Sequence, residues 1–114
     1  NAVAAADFRA VTLGTFNDGS CSAGNSRTHF SSGQLIYVNL CTSDSASSTR
    51  MTVTIRQAGR VVRTMTSNFA FAPGASYYFY TTSGNLGTGS FDLVVTATVE
   101  GQQGVARDIR FTIG

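Results

Sequence analysis

Apolar and polar residues alternate with a period of two along much of the chain, most clearly at its C-terminal end. In the run Ser90 to Val99, the residues Phe91, Leu93, Val95, Ala97 and Val99 recur at every second position. Successive side chains of a strand point to opposite faces, so this spacing predicts a strand with one buried row. The polar turn Glu100-Gly101-Gln102-Gln103-Gly104 follows. Val105 to Ile113 then supplies a second inward row of Val105, Ile109, Phe111 and Ile113, interrupted by Arg107. Two such runs across a short Gly-containing turn predict an antiparallel hairpin. Its apolar face needs a second sheet to cover it.

The same period recurs upstream. In Arg50 to Gln57, Met51, Val53 and Ile55 face in, while Arg50, Thr52, Thr54 and Arg56 face out. Ala58-Gly59 reads as a tight turn into a paired strand, Arg60 to Thr66, in which Val61-Val62 leaves the facing ambiguous. Gln34 to Cys41 is apolar on nearly both faces, which places it in the middle of a sheet. Phe8 to Phe16 predicts a first strand, and Arg27 to Phe30 a short edge strand. Ser67 to Ala72 carries Phe69 and Phe71 ahead of a Pro73-Gly74 turn. Ser76 to Thr82 is a strand by aromatic enrichment, and Ser83 to Gly89 a loop. No window shows a helical period. Seven to eight strands with regular turn signals predict an all-β fold, an antiparallel β-sandwich, with a barrel of short strands as the alternative.

Composition fits that architecture. The 114 residues suit one domain. Charged residues are only 12% of the chain, and Ser, Thr, Gly and Asn fill the gap, a composition that suits secreted or cell-surface β-proteins. All eight basic residues are arginine, as a GC-rich genome would favour, and a net charge of +2 gives no argument for nucleic acid or an anionic membrane. No apolar stretch approaches a membrane span. The start, Asn1 to Asp7, is either the small-residue end of a signal peptide or a tag remnant. The first six residues are therefore set apart, leaving residues 7–114 as a single β-sandwich domain.

Cys21 and Cys41 are the only cysteines. An even count in a small, Ser/Thr-rich chain favours one disulfide and an oxidising compartment: secreted, periplasmic or at the cell surface. The bridge would tie the loop Asn17 to Asn25 to the sheet. Two cysteines and the lone His29 fall short of a metal site, and no metal or other cofactor is expected. Asn17-Asp18-Gly19-Ser20 offers one carboxylate, thin for calcium and suited to an Asx turn.

No motif points to an enzyme. His29 has no fixed nucleophile or carboxylate partner, and no Gly-x-Ser-x-Gly elbow is present. The carboxylates are dispersed. Asp92 and Asp108 lie on the closing hairpin, on its outer face with Arg110, where cross-strand ion pairing is the default reading. Two patches are candidates for binding. Arg50, Arg56, Arg60 and Arg63 lie on one hairpin, in a stretch without acids, and would make either a cationic face or guards of an edge strand. Tyr78 and Tyr80 share one face of the Ser76 to Thr82 strand and, if exposed, would anchor sugar rings or a protein.

Gly89-Ser90-Phe91-Asp92-Leu93-Val94-Val95, followed by Arg110-Phe111-Thr112-Ile113, resembles the last two strands of bacterial immunoglobulin-like and fibronectin type III-like accessory domains. Gly33 to Val38 resembles their second strand, and Arg50 to Thr66 the third and following ones. The chain departs from antibody domains, having no tryptophan and two cysteines too close in sequence for their inter-sheet bridge. The resemblance implies an immunoglobulin-like sandwich and a scaffold without a particular chemistry. The expectation is a non-catalytic extracytoplasmic module for binding, spacing or assembly, with a protein or glycan partner. An adhesin or pilus-type subunit and a small inhibitor of an extracellular enzyme are the alternatives.

Overall fold

The alternating runs become strands whose apolar rows meet between two sheets. The computed structural model describes residues 5–22, 24, 26–47, 49–67 and 70–114. Phe69, part of the segment before Pro73, lies outside the described residues, as does most of the segment set apart at the start. Eight strands are present among the described residues: β1 (Phe8–Gly14), β2 (His29–Phe30), β3 (Leu35–Thr42), β4 (Arg50–Gln57), β5 (Arg60–Thr66), β6 (Ser76–Thr82), β7 (Gly89–Val99) and β8 (Gln102–Ile113). One sheet has the order β1-β3-β6 and the other β2-β8-β7-β4-β5. The fold is an all-β sandwich, antiparallel as expected except for one two-residue pair, β2 with β8, which is parallel.

The core is what the period of two requires. Ile36, Val38 and Leu40 of β3 face Met51, Val53 and Ile55 of β4 and Phe91, Leu93 and Val95 of β7 across the interior. Phe111 stacks on Phe91 at 5.3 Å between ring centroids and meets Phe30 edge-on at 6.0 Å. Phe30 thereby joins β2 to the core, and the edge strand expected near Arg27 to Phe30 shortens to these last two residues.

Three irregularities move residues from the rows expected of them. The closing turn is only Glu100-Gly101, both at positive φ, so β8 starts at Gln102 and the hairpin is longer than the polar run implied. A register shift between Val95 and Thr96 then reverses the facing beyond it. Val105 is consequently 51% exposed and Ala106 is buried in its stead. One extra residue in one strand flips every side chain past the bulge, a displacement that alternation read from sequence does not register. A second shift, between Ile55 and Arg56, settles Val61-Val62: Val61 faces solvent and Val62 packs on the core. A third, between Phe8 and Ala10, puts Phe8 and Leu13 in the same buried set.

Arg107 does interrupt the inward row, opposite Val95. Its half-buried side chain donates from the guanidinium to the carbonyls of Ala106 (2.8 Å) and of Phe8 in the facing sheet (3.4 Å). A charge in an apolar row thus becomes a tie between the sheets.

Candidate functional site

The outer face of the three-stranded sheet carries the most distinctive surface. In β3 the outward positions are Leu35, Tyr37, Asn39 and Cys41, between the buried Ile36, Val38 and Leu40. The β3–β6 register sets Tyr37 opposite Tyr80 and Asn39 opposite Tyr78. This face is divided into a covered half and an open half.

The covered half lies under the loop between β1 and β2. Cys21 is bonded to Cys41, with their Cα atoms 6.2 Å apart, which ties the loop to the sheet as the cysteine pair implied. Asn39 acts beside it. Its side-chain carbonyl accepts the Asp18 N–H at 3.1 Å, and its amide donates to the Phe16 carbonyl at 3.3 Å. The Asp18 carboxylate accepts the N–H groups of Ser20 and Ser22 and the Ser20 hydroxyl. This is the Asx-turn use of an aspartate: the side chain replaces backbone partners in a tight loop. Cys21 sits at φ +50°, a conformation held by the disulfide and by its N–H bond to the Asp18 carbonyl.

The open half presents three tyrosines. Tyr78 is 47% and Tyr80 54% exposed, and Tyr37 is half-buried beside them. Tyr37 lies 5.6 Å from Tyr80 and 5.7 Å from Tyr78 between ring centroids, and Tyr78 lies 6.4 Å from Tyr80. Leu35 and Thr82, opposite one another at the end of this half, add no charge. On the inner face of β6, Tyr77 meets Phe71 edge-on at 4.5 Å, and its hydroxyl accepts the Ala72 N–H. One aromatic pair of β6 is thus turned toward the core and the other toward solvent.

Sequence reading missed Tyr37. The run Gln34 to Cys41 reads as buried on both faces, and that is true of Asn39 and Cys41 only because the loop covers them. Tyr37 is half-buried, opposite the exposed Tyr80. Its alternation with Ile36 and Val38 was the available signal, and its partnership with Tyr80 is a matter of register.

The four hairpin arginines do not share a face. Arg50 and Arg56 project outward from β4, about 20 Å apart at the usual rise per residue. Arg63 stands opposite Ile55, so it points to the core side of β5 where that edge strand is exposed. Arg60 lies beside the turn, opposite Gln57. Arg56 also stands opposite Asp92, and Asp92 pairs with Arg110 at 3.1 Å, the cross-strand partnership expected of the hairpin. That pair is exposed and contributes at most about 1 kcal/mol. The remaining hairpin carboxylate, Asp108, is exposed opposite Val94. His29 is exposed on β2, its Nδ1 2.8 Å from the Thr112 hydroxyl.

No family model and no curated protein sequence matches the chain. Similar solved structures include the PmoD soluble domain from Methylocystis sp. ATCC 49242 (Rockwell). It shares a TM-score of 0.58 and 13% identity over 91% of this chain and 89% of that one. The C-terminal domain of wzt aligns at TM-score 0.47 and 11% identity, over 95% of this chain and 81% of that one. A β-glucosidase from Listeria innocua in complex with glucose aligns at TM-score 0.45 and 10% identity, over 91% of this chain and 16% of that one. At such identities the likeness to the PmoD domain is one of β-rich fold alone.

Proposed function

We infer that the chain is a non-catalytic, extracytoplasmic β-sandwich module of immunoglobulin-like type that binds a neutral glycan through its tyrosine face. One observation carries the reading: Tyr37, Tyr78 and Tyr80 converge within 6.4 Å of one another on an uncharged, solvent-facing half-sheet. Tyrosine combines a flat apolar ring with a hydroxyl. The ring suits the C–H face of a sugar, and the hydroxyl suits the sugar's own hydroxyls. The outward residues here bear no charge, which favours a neutral ligand over an acidic one.

The strand order supports the immunoglobulin-like part. In that architecture the first, second and fifth strands share one sheet, while the third, sixth and seventh form the other, to which variable-type domains add further strands. Here β1, β3 and β6 match the former, and β4, β7 and β8 the latter, with β5 added. The Cys21–Cys41 disulfide supports an oxidising compartment. No helix among the described residues is long and apolar enough to cross a membrane.

A glycan array read with the wild type, Tyr37→Ala and Tyr78→Ala/Tyr80→Ala tests the reading. Binding to neutral glycans in the wild type should fall at least about tenfold in both variants, since a hot-spot aromatic contributes on the order of 2 kcal/mol. Unchanged binding in the variants, or no binding by any of the three proteins, would remove the sugar ligand.

A further inference from the structure

Each sheet ends in two edge strands, and most of these edges are managed. β1 carries a register shift, and the Leu13 carbonyl is taken by the Arg27 N–H. β2 is only two residues long. β5 carries a register shift and presents the exposed Arg60 and Arg63. Shortness, bulges and charge are the devices by which edges refuse another strand. β6 has none of them. It spans seven residues, pairs with β3 without a register shift, and contains no charge and no proline.

Its free side is chemically specific. The Thr42 N–H donates to the Ala75 carbonyl and the Ser83 N–H to the Gln34 carbonyl, so the odd-numbered residues between them turn their backbone toward β3. In an antiparallel ladder the alternate residues turn theirs away. Ser76, Tyr78, Tyr80 and Thr82 therefore aim N–H and C=O groups out from the edge, where no strand pairs with them among the described residues. In the four-on-three sandwich a further strand stands at this position. The sequence of β6 is also nearly symmetric about Phe79: tyrosine at 78 and 80, hydroxyl residues at 76 and 82.

We propose that β6 pairs antiparallel with β6 of a second copy of the chain, about a two-fold axis through Phe79. This register sets Tyr78 opposite Tyr80 of the partner subunit, Ser76 opposite Thr82 of the partner subunit, and Phe79 against its own counterpart. Each outward backbone group then meets a complementary one. Aromatic pairs and hydroxyl pairs are the favourable cross-strand combinations, and no like charges meet at the axis. A second copy satisfies this pattern at every position, whereas an unrelated peptide would match only the backbone. The contact is isologous and closes as a dimer. The two three-stranded sheets become one six-stranded sheet, and the two tyrosine faces join into one surface. Sugar binding plays no part in this inference or in its test.

Sedimentation equilibrium of the full chain across a concentration series, with amide exchange on the same samples, tests it. The expected result is a concentration-dependent doubling of mass, with Tyr78 and Tyr80 amides gaining protection in step. Tyr78→Pro removes an N–H that points away from β3, so it leaves the fold's own ladder intact and should abolish the dimer. Tyr80→Lys, which places a charge on the edge, should do the same and serves if the proline variant does not fold. A wild type monomeric up to millimolar concentration would overturn the proposal. So would folded Tyr78→Pro or Tyr80→Lys chains that still dimerise. Tyr78 and Tyr80 amides protected only after addition of a capped Val-Thr repeat peptide would make the edge a peptide site and overturn the dimer.

Discussion

Thr81 carries a hydroxyl into the core that finds no hydrogen-bond partner among the described residues. The side chain is 3% exposed on the inner face of β6, opposite the fully buried Ile36. A buried polar group without a partner costs roughly 1–3 kcal/mol of desolvation, and valine has nearly the same shape. Thr81→Val is therefore expected to stabilise the fold by about 1 kcal/mol, read from urea unfolding. A loss of stability would mean that the hydroxyl has a partner, such as a buried water. Nothing in the sequence marks Thr81, since Ser76 to Thr82 reads as an ordinary alternating strand. Asn39 is the opposite case. It is buried too, as its run reads, but the Asp18 loop lies over it and uses both ends of its amide.

Among the elements, the loop between β1 and β2 depends most on a single bond. Its length and richness in turn residues predict a loose segment, and the disulfide converts it into a lid on the outer face of β3. Closing a loop of this size contributes about 3 kcal/mol in the chain-entropy model. Cys21→Ala/Cys41→Ala should lower unfolding stability by about that amount and render residues 15–27 sensitive to limited proteolysis. A shift below about 1 kcal/mol with unchanged protease resistance would show that Asn39 and the Asx turn hold the loop by themselves. The disulfide was legible from cysteine count and composition. The tyrosine site was legible only in part. Alternation paired Tyr78 with Tyr80 and left open which side they face. Their exposure follows from the position of β6 at the rim of a sheet and from how far the loop reaches. The arginine hairpin is the converse: contiguity suggested one cationic face, and a bulge together with strand alternation separates the four side chains.

For the molecule as a whole, the interior is organised by the aromatic contact of Phe30, Phe91 and Phe111, which binds β2, β7 and β8 into the larger sheet's share of the core. Phe111 is 1% exposed. Phe111→Ala is expected to cost about 3–5 kcal/mol, a large part of the stability of a domain this size, and to lower the melting temperature by well over 10 °C. A drop of only a few degrees would show that the neighbouring rings close the cavity. The sequence by itself determined which runs are strands, the buried rows of β4 and β7, that two sheets are needed to bury them, and that the two cysteines belong together. These follow from local period, composition and the cost of leaving apolar rows in water. The tertiary structure decided which strands are neighbours, which edges stay open, where bulges reverse a row, and that Tyr37 joins Tyr78 and Tyr80. Those depend on register and coverage between segments distant in the chain, which a period of two, identical in every strand, does not encode.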